Sequence, residues 1–334
     1  MLIQAFLPDI HRRPTGGNLF NRRVLAYLDG VARVERRVVA DGEPLPEPRG
    51  DVALIDSLLL AAAAGASRGG AGTRLLLAHY LRLFEPGLRD SDQARRERRL
   101  LARLDGVITT SRYCRDALVA EGLSPRRVGA VTPGLPASFF ADVAARPPGT
   151  PRLLTVATVL EGKGLRSLLG VLETLAELDW TWELAGDPDL DPGFSARFRR
   201  RLAASPVAGR VRLLGAVDPE RMAEFYDRAT IFVLPSRFET CSIATMEAMA
   251  RGLPVVAYRV GGIPERVPAA TAELLAPPGD GERLGAVLRR LLTDRDEAAA
   301  LGIENRRASR AFPTWEACGA AVWELVRQLR DGAG

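Results

Sequence analysis

Leu234-Pro-Ser-Arg-Phe-Glu-Thr-Cys-Ser-Ile-Ala-Thr-Met-Glu-Ala-Met-Ala-Arg-Gly-Leu-Pro254 reads as a strand end, a loop, a helix, a second loop and the start of another strand. Ser242 is placed to cap that helix and Gly252 to stop it. The free amides at the helix start, reinforced by its dipole, make a ready anion site. Glu239 precedes the helix, and Glu247 lies five residues past the cap, about 7.5 Å along the axis. Helical side chains lean towards the N-terminus, so both carboxylates can border one ligand held there. A carboxylate beside an anion site is unfavourable unless it has other work, and accepting hydrogen bonds from sugar hydroxyls is the natural one. The competing reading, a solvated Glu247, sits poorly with its apolar neighbours Met246, Ala248 and Met249.

Outward from this stretch, β-rich apolar runs alternate with helical patterns, as in a parallel α/β architecture. Strands are expected near residues 2–7, 51–55, 74–77, 106–109 and 128–131, with helices near 19–29 and 113–121. Gly30 is expected to end the first helix and Asn18 to cap its start. Arg146-Pro-Pro-Gly-Thr-Pro151 is the clearest linker. The pattern then restarts, with strands near 152–158, 181–185, 211–214, 231–234 and 254–258 and helices near 165–178, 221–228, 243–251 and 282–293. Two doubly wound domains are therefore expected, 1–148 and 149–312. A last amphipathic helix within 313–334 would pack back towards the first domain. Ligands would bind in a cleft at the carboxyl ends of the strands.

Composition excludes several classes. The 334 residues are 47% hydrophobic and 26% charged, which is ordinary globular composition for about two domains. The longest uncharged run, Val128 to Ala141, holds two prolines and is shorter than the roughly 20 residues of a membrane span. Met1–Pro8 has no basic leader or small-residue cleavage site, so no signal peptide is expected. Cys114, Cys241 and Cys318 are odd in number and far apart, and His11 and His79 are the only imidazoles. They build neither a disulfide framework nor a metal site. A reduced, cytoplasmic protein without a metal or cofactor is expected. The net charge of +5 is compatible with a weak peripheral membrane contact. Nucleic acid is not expected, because no aromatics interleave the basic runs. Arg95, Arg96, Arg98 and Arg99 alternate with Glu97 and read as the solvated face of a helix.

The central stretch resembles the family-4 retaining glycosyltransferases, also called glycosyl transferases group 1, of the GT-B fold. Glu239 and Glu247 match that family's Glu-x7-Glu motif, and Glu247-Ala-Met-Ala-Arg-Gly-Leu-Pro-Val-Val256 matches the segment that follows. Gly261-Gly262-Ile-Pro-Glu265, Val131-Thr-Pro-Gly134 and Glu161-Gly-Lys-Gly164 are similar to its Gly-Gly turn, linker-side signature and phosphate loop. The resemblance implies two Rossmann-like domains facing a central cleft, the first on the acceptor side and the second binding a nucleotide sugar. It implies that Glu239 holds donor-sugar hydroxyls and that the amides of Thr240, Cys241, Ser242 and Ile243 meet the sugar and diphosphate. Glu247 would accept from the ribose, and the 215–218 loop, with Val217, would bound the base. Gly16, Gly17 and Asn18 would form the glycine-rich turn near the diphosphate and acceptor, with a tight strand–helix turn as the plainer reading. His79 would lie near the donor sugar, and Asp56 is an acceptor-side candidate. Cys241 reads as a filler.

One departure stands out. Where many members of that family have Gly-Arg before the phosphate loop, this chain has Ala157-Thr158. Lys163 would then meet the diphosphate with amides alone, or with Arg237. The implied reaction is metal-independent transfer of a hexosyl-type group from a UDP- or GDP-sugar, with retention. The acceptor would be a small molecule, a glycan or a lipid-linked molecule. Two other readings stay open: a GT-B sugar-nucleotide epimerase or phosphorylase, and a non-catalytic sugar-nucleotide-binding protein.

Overall fold

Leu2–Pro8 (β1) is buried at six of its seven positions, as a strand covered on both faces must be. It belongs to the first of two compact units, residues 1–134 with 313–334; the second is residues 135–312. The computed structural model describes residues 1–63, 72–143 and 149–332. Arg146–Pro148 of the expected linker lie outside the described residues.

In the first unit β1 is followed by α1 (Gly16–Leu28), β2 (Arg33–Val39), β3 (Val52–Asp56), the short α2 (Leu60–Ala63) and β4 (Thr73–Ala78). α3 (Asp92–Leu101), β5 (Gly106–Thr109), α4 (Arg112–Ala120) and β6 (Val128–Ala130) complete it. The strands pair in parallel in the order β2-β1-β3-β4-β5-β6. The second unit holds β7 (Arg152–Val156), α5 (Leu165–Glu173), β8 (Thr181–Ala185), α6 (Pro192–Ala203), β9 (Val211–Gly215), α7 (Met222–Arg228) and β10 (Ile231–Leu234). α8 (Ile243–Ala250), β11 (Val255–Tyr258), β12 (Leu275–Ala276), α9 (Gly281–Thr293) and α10 (Arg295–Ser309) follow. Its parallel order is β12-β11-β10-β7-β8-β9. These are the two sheets of a GT-B architecture. Each sheet reverses its strand order once, between β1 and β3 and between β7 and β10, and such switch points are where open α/β sheets bind ligands.

The expected elements need several corrections. β2 was not expected, because its Arg-Val-Glu-Arg-Arg-Val-Val sequence lacks an apolar face; it forms on the edge of the sheet, where charge is tolerated. β12 has only two residues and offers no pattern to read. The helix expected to run to residue 178 stops at Glu173. Asn18 does not cap α1: Thr15 does, accepting from the Asn18 amide at 3.2 Å, so Gly16 and Gly17 are helical. Asn18 instead donates to the Ile10 and Arg13 carbonyls at 2.7 and 3.0 Å. Asp29, not Gly30, is the C-cap, and the Gly30 amide bonds the Tyr27 carbonyl. Glu97 is buried and accepts from the Leu83 amide, so only Arg95, Arg96 and Arg99 form the solvated face.

Unit 2 claims residues 135–141 through Leu135 and Phe139, which lie in its core. The nearly buried Arg251 adds hydrogen bonds to the Ser138 and Ala141 carbonyls while pairing with Asp227 at 2.6 Å. In unit 1 the last helix, α11 (Trp315–Asp331), crosses α1 at Gly319, where a Cβ would lie 2.3 Å from Tyr27 Cγ. No described helix is long and apolar enough to cross a membrane. Gly319→Val is expected to cost about 1–3 kcal/mol by overpacking this crossing, read as a lowered thermal midpoint. Gly170→Ala, where nothing lies within 4 Å of the added carbon, should leave the midpoint unchanged or raised.

Candidate functional site

Two loops leave the switch point of the second sheet, one after β7 and one after β10, and they touch backbone to backbone. Gly164 ends the Glu161–Lys163 turn at φ 67°, and a Cβ there would lie 2.0 Å from the Pro235 carbonyl oxygen. The Arg237 amide donates to the Gly162 carbonyl at 2.9 Å. On the other flank the Gly262 amide donates to the Glu239 carbonyl at 2.9 Å, and a Cβ on Gly261 (φ 51°) would come within 1.9 Å of that oxygen. Only glycine fits either place. Gly162, by contrast, faces open space, so its conformation does not require glycine for want of room.

So strapped, the loop brings Glu239 Oε1 within 2.6 Å of Lys163 Nζ, with the two side chains 12% and 26% exposed. Ser242 follows at φ 62°, the one non-glycine residue with positive φ among those described. Such a backbone costs of order 1 kcal/mol and persists where surrounding contacts over-determine it. Here the Ser242 side chain caps α8, accepting from the Thr245 amide at 3.3 Å. Arg237 is exposed, and its guanidinium makes no hydrogen bond or ion pair with a described residue. Cys241 is buried against Met246, and burial pushes its thiol up to about 11, so it is neutral and unreactive at pH 7. Thr158 and Thr240 are half-buried, and so is Val217, beyond the end of β9.

Glu247 is turned to a different partner from Glu239. Its Oε2 accepts from the Tyr226 hydroxyl at 2.7 Å. Burial pushes the Glu247 carboxyl up to about 7, the Tyr226 hydrogen bond pulling partly the other way. Burial and the neighbouring carboxylate hold the Tyr226 phenol well above its usual range. Tyr226 was missed in the sequence because, in a short amphipathic helix, it reads as core; its ring is fully buried. A pocket of about 210 Å³ lies at the carboxyl ends of β8 and β9, lined among others by Val159, Gly186, Ser195, Arg199 and Gly215.

The first unit gathers a separate cluster at its own switch point. His79, just past β4, fits against α1 where a Cβ on Gly17 would stand 2.9 Å from the ring's Cγ. Its Nε2 lies 2.7 Å from Asn21 Oδ1, and Asn21 Nδ2 donates to Asp56 Oδ2 at 2.7 Å. Burial lowers the His79 pKa, with Asp56 opposing. The bareness of Gly17 thus makes room for an imidazole in this unit. Asn21 was also missed, although it shares a helical stripe with the buried Val24, Leu25 and Leu28, where a polar side chain stands out. Gly16 and the buried Asn18 occupy the first turn of the same helix.

Comparison with known proteins follows these units. Residues 150–294 match the protein family described as glycosyl transferases group 1. The amylovoran biosynthesis glycosyltransferase AmsK of Erwinia amylovora is 31% identical over 58% of this chain and 49% of its own. A D-inositol 3-phosphate glycosyltransferase of Catenulispora acidiphila is 30% identical over 65% of this chain and 56% of its own. The chain thus spans about half the length of these relatives. Among solved structures, sucrose-phosphate synthase from Thermosynechococcus elongatus superposes with a TM-score of 0.82 at 22% identity, covering 99% of this chain and 100% of that one. Anabaena HepE in complex with UDP and glucose gives 0.79 at 15% identity, covering 97% and 99%.

The Glu247 environment makes a stability prediction. A carboxyl whose folded pKa is raised favours the fold while protonated, and that contribution is lost as pH rises from its unfolded value of about 4.5 through about 7. Glu247→Gln does not titrate there. Its thermal midpoint relative to the parent should therefore rise between pH 5 and pH 8; a pH-independent difference would refute the assignment.

Proposed function

We propose that this chain is a family-4 retaining glycosyltransferase, moving a glycosyl group from a UDP- or GDP-sugar to an acceptor hydroxyl. The observation that carries this reading is the Lys163–Glu239 pair, held at 2.6 Å between two switch-point loops beside the start of α8. An incoming diphosphate draws the ammonium towards its oxygens, and the released carboxylate accepts hydrogen bonds from the sugar's hydroxyls. The glycosyltransferase names of the sequence relatives, and the UDP bound in HepE, support a nucleotide-sugar donor.

In this mechanism the bond from the anomeric carbon to the phosphate oxygen breaks while a bond from that carbon to the acceptor oxygen forms on the same face. The acceptor's proton passes to the departing phosphate. Negative charge grows on the diphosphate, and Lys163, already drawn to it on binding, stabilises it with the amides at the start of α8 without further reorganisation in the chemical step, an effect commonly worth several kcal/mol. No divalent metal is assigned a part. The exposed Arg237 is the cation available where Thr158 replaces the usual arginine. Glu247 accepts from the ribose, and the pocket at Gly186 and Gly215 receives the base. Gly17, Asp56 and His79 serve the sugar and acceptor side in the first unit, and the acceptor is a small molecule, a glycan or a lipid-linked molecule. Cys114, Cys241 and Cys318 are buried and none is in a disulfide, which supports a reducing, cytoplasmic setting.

Two substitutions separate the carboxylates. Glu247→Gln should weaken binding of bare UDP or GDP by calorimetry, because the ribose is present in both. Glu239→Gln should leave that affinity near normal while turnover falls, because its partner is the transferred sugar. Equal loss of bare-nucleotide affinity in both would contradict the roles. Lys163 is the only lysine among 46 basic residues, and a compact ammonium fits a narrow phosphate loop where a guanidinium fork does not. Lys163→Arg should therefore lose at least about tenfold in kcat/KM, or ~1.4 kcal/mol of transition-state stabilisation. A value within about twofold of the parent would refute the point-charge role.

A further inference from the structure

The polar cluster of the first unit has a direction. Asp56 is 2% exposed, and its carboxylate only accepts: Oδ1 takes the Leu58 amide at 2.8 Å and Oδ2 takes Asn21 Nδ2 at 2.7 Å. Turning the Asn21 amide over would set its oxygen against that carboxylate with no proton between them, so Oδ1 must face the other way. There it meets His79 Nε2 at 2.7 Å, and two acceptors cannot share that distance. The ring must bring the proton.

From this chain of constraints we infer that Asn21 is a positioning residue that holds the His79 proton on Nε2, leaving Nδ1 to accept a hydrogen bond from a hydroxyl of the bound substrate. The ring has no alternative seat. Gly17 and Asn21, one turn apart on α1, flank it, and Phe20 meets it edge-on at 5.4 Å between centroids. The His79 amide is tied to Ser57 Oγ at 3.1 Å. Nδ1 bonds no described residue, and the side chain keeps 13% exposure, enough for one contact. The titratable group facing the ring is Asp56 on β3, 3.8 Å from Nε2. α1 presents Gly17, Phe20 and Asn21, the turn after β3 presents Ser57, and the adjacent Tyr80 phenol is engaged by Glu85. Burial keeps the imidazole neutral at pH 7.

The consequence is chemical polarity. A neutral imidazole offering a lone pair welcomes an O–H and repels a phosphate oxygen, so His79 serves a sugar or acceptor hydroxyl and not the diphosphate. That last step rests on the glycosyltransferase reading; the protonation state does not.

The chain has two histidines, so His11→Gln in the full-length, ¹⁵N-labelled protein leaves one imidazole to observe by NMR. The expected spectrum shows a ring proton bonded to Nε2 that exchanges slowly with water and persists at pH values below the usual imidazole range. Asn21→Leu should speed that exchange by about tenfold or more, since protection reports the hydrogen bond and its burial. Asn21→Ser, which also withdraws the amide oxygen, replaces it if the leucine variant does not fold. A proton found on Nδ1, or unchanged protection in a folded Asn21 variant, overturns the inference. For the substrate contact, Asn21→Leu should lower kcat/KM for the sugar nucleotide by about tenfold with bare-nucleotide affinity unchanged. A folded His79→Ala chain with undiminished turnover overturns that contact, whereas an inactive parent chain would count against the glycosyltransferase reading and leave the NMR result to stand alone.

Discussion

The second unit is built around a backbone that approaches other backbone more closely than any side chain allows. The 235–239 loop is gripped on one flank by Gly164, whose missing Cβ leaves room for the Pro235 carbonyl, and on the other by Gly261 and Gly262 at the Glu239 carbonyl. Those contacts set Lys163 against Glu239. They also present the strained Ser242 to the first turn of α8. A methyl group at either glycine would push the loops apart by more than the length of a hydrogen bond's tolerance. The charged pair would then face solvent, where it is worth little.

Within that frame the two glutamates of the Glu-x7-Glu spacing live in different media. Glu239 is paired with the Lys163 ammonium and remains available to a ligand that can take the cation away. Glu247 is half-buried and has only the Tyr226 hydroxyl as a described hydrogen-bond donor, so ionisation is penalised. A group poised near neutrality changes its hydrogen-bonding character with small changes in surroundings. A ribose that donated two hydroxyls to it would favour the carboxylate. Spacing alone makes the two residues equivalent; their neighbours make them distinct.

Each sheet reverses its strand order once, and each reversal gathers polar groups that the interior of a parallel sheet could not hold. In the second unit these are Lys163, Glu239 and Ser242; in the first they are Asp56, Asn21 and His79. A buried carboxylate needs donors, and Asp56 finds one in the Leu58 amide and one in Asn21. The same requirement fixes the Asn21 amide and, through it, the imidazole. A structural demand for a satisfied carboxylate therefore sets the chemistry of a largely buried ring.

Parallel α/β class, two doubly wound sheets and the strand–loop–helix framework of residues 234–254 were legible in the sequence. Local pattern carries them: apolar runs of strand length, a serine before a helical stripe, glycines at turns. The edge strand β2 escaped because charge hides its pattern. The cap of α1 was misplaced by three residues, since Thr15 and Asn18 are both cap formers and only the path of the chain chooses between them. Lys163, Glu239 and Glu247 stood out by composition and spacing. Their partners did not, because Lys163 meets Glu239 across 76 residues, Tyr226 meets Glu247 across 21 and His79 meets Asn21 across 58. Sequence determines which residues are able to bear charge or donate a proton, through local chemistry. Which group faces which is decided only when strand order closes those separations, because hydrogen bonds and desolvation act over a few ångströms of space and not along the chain.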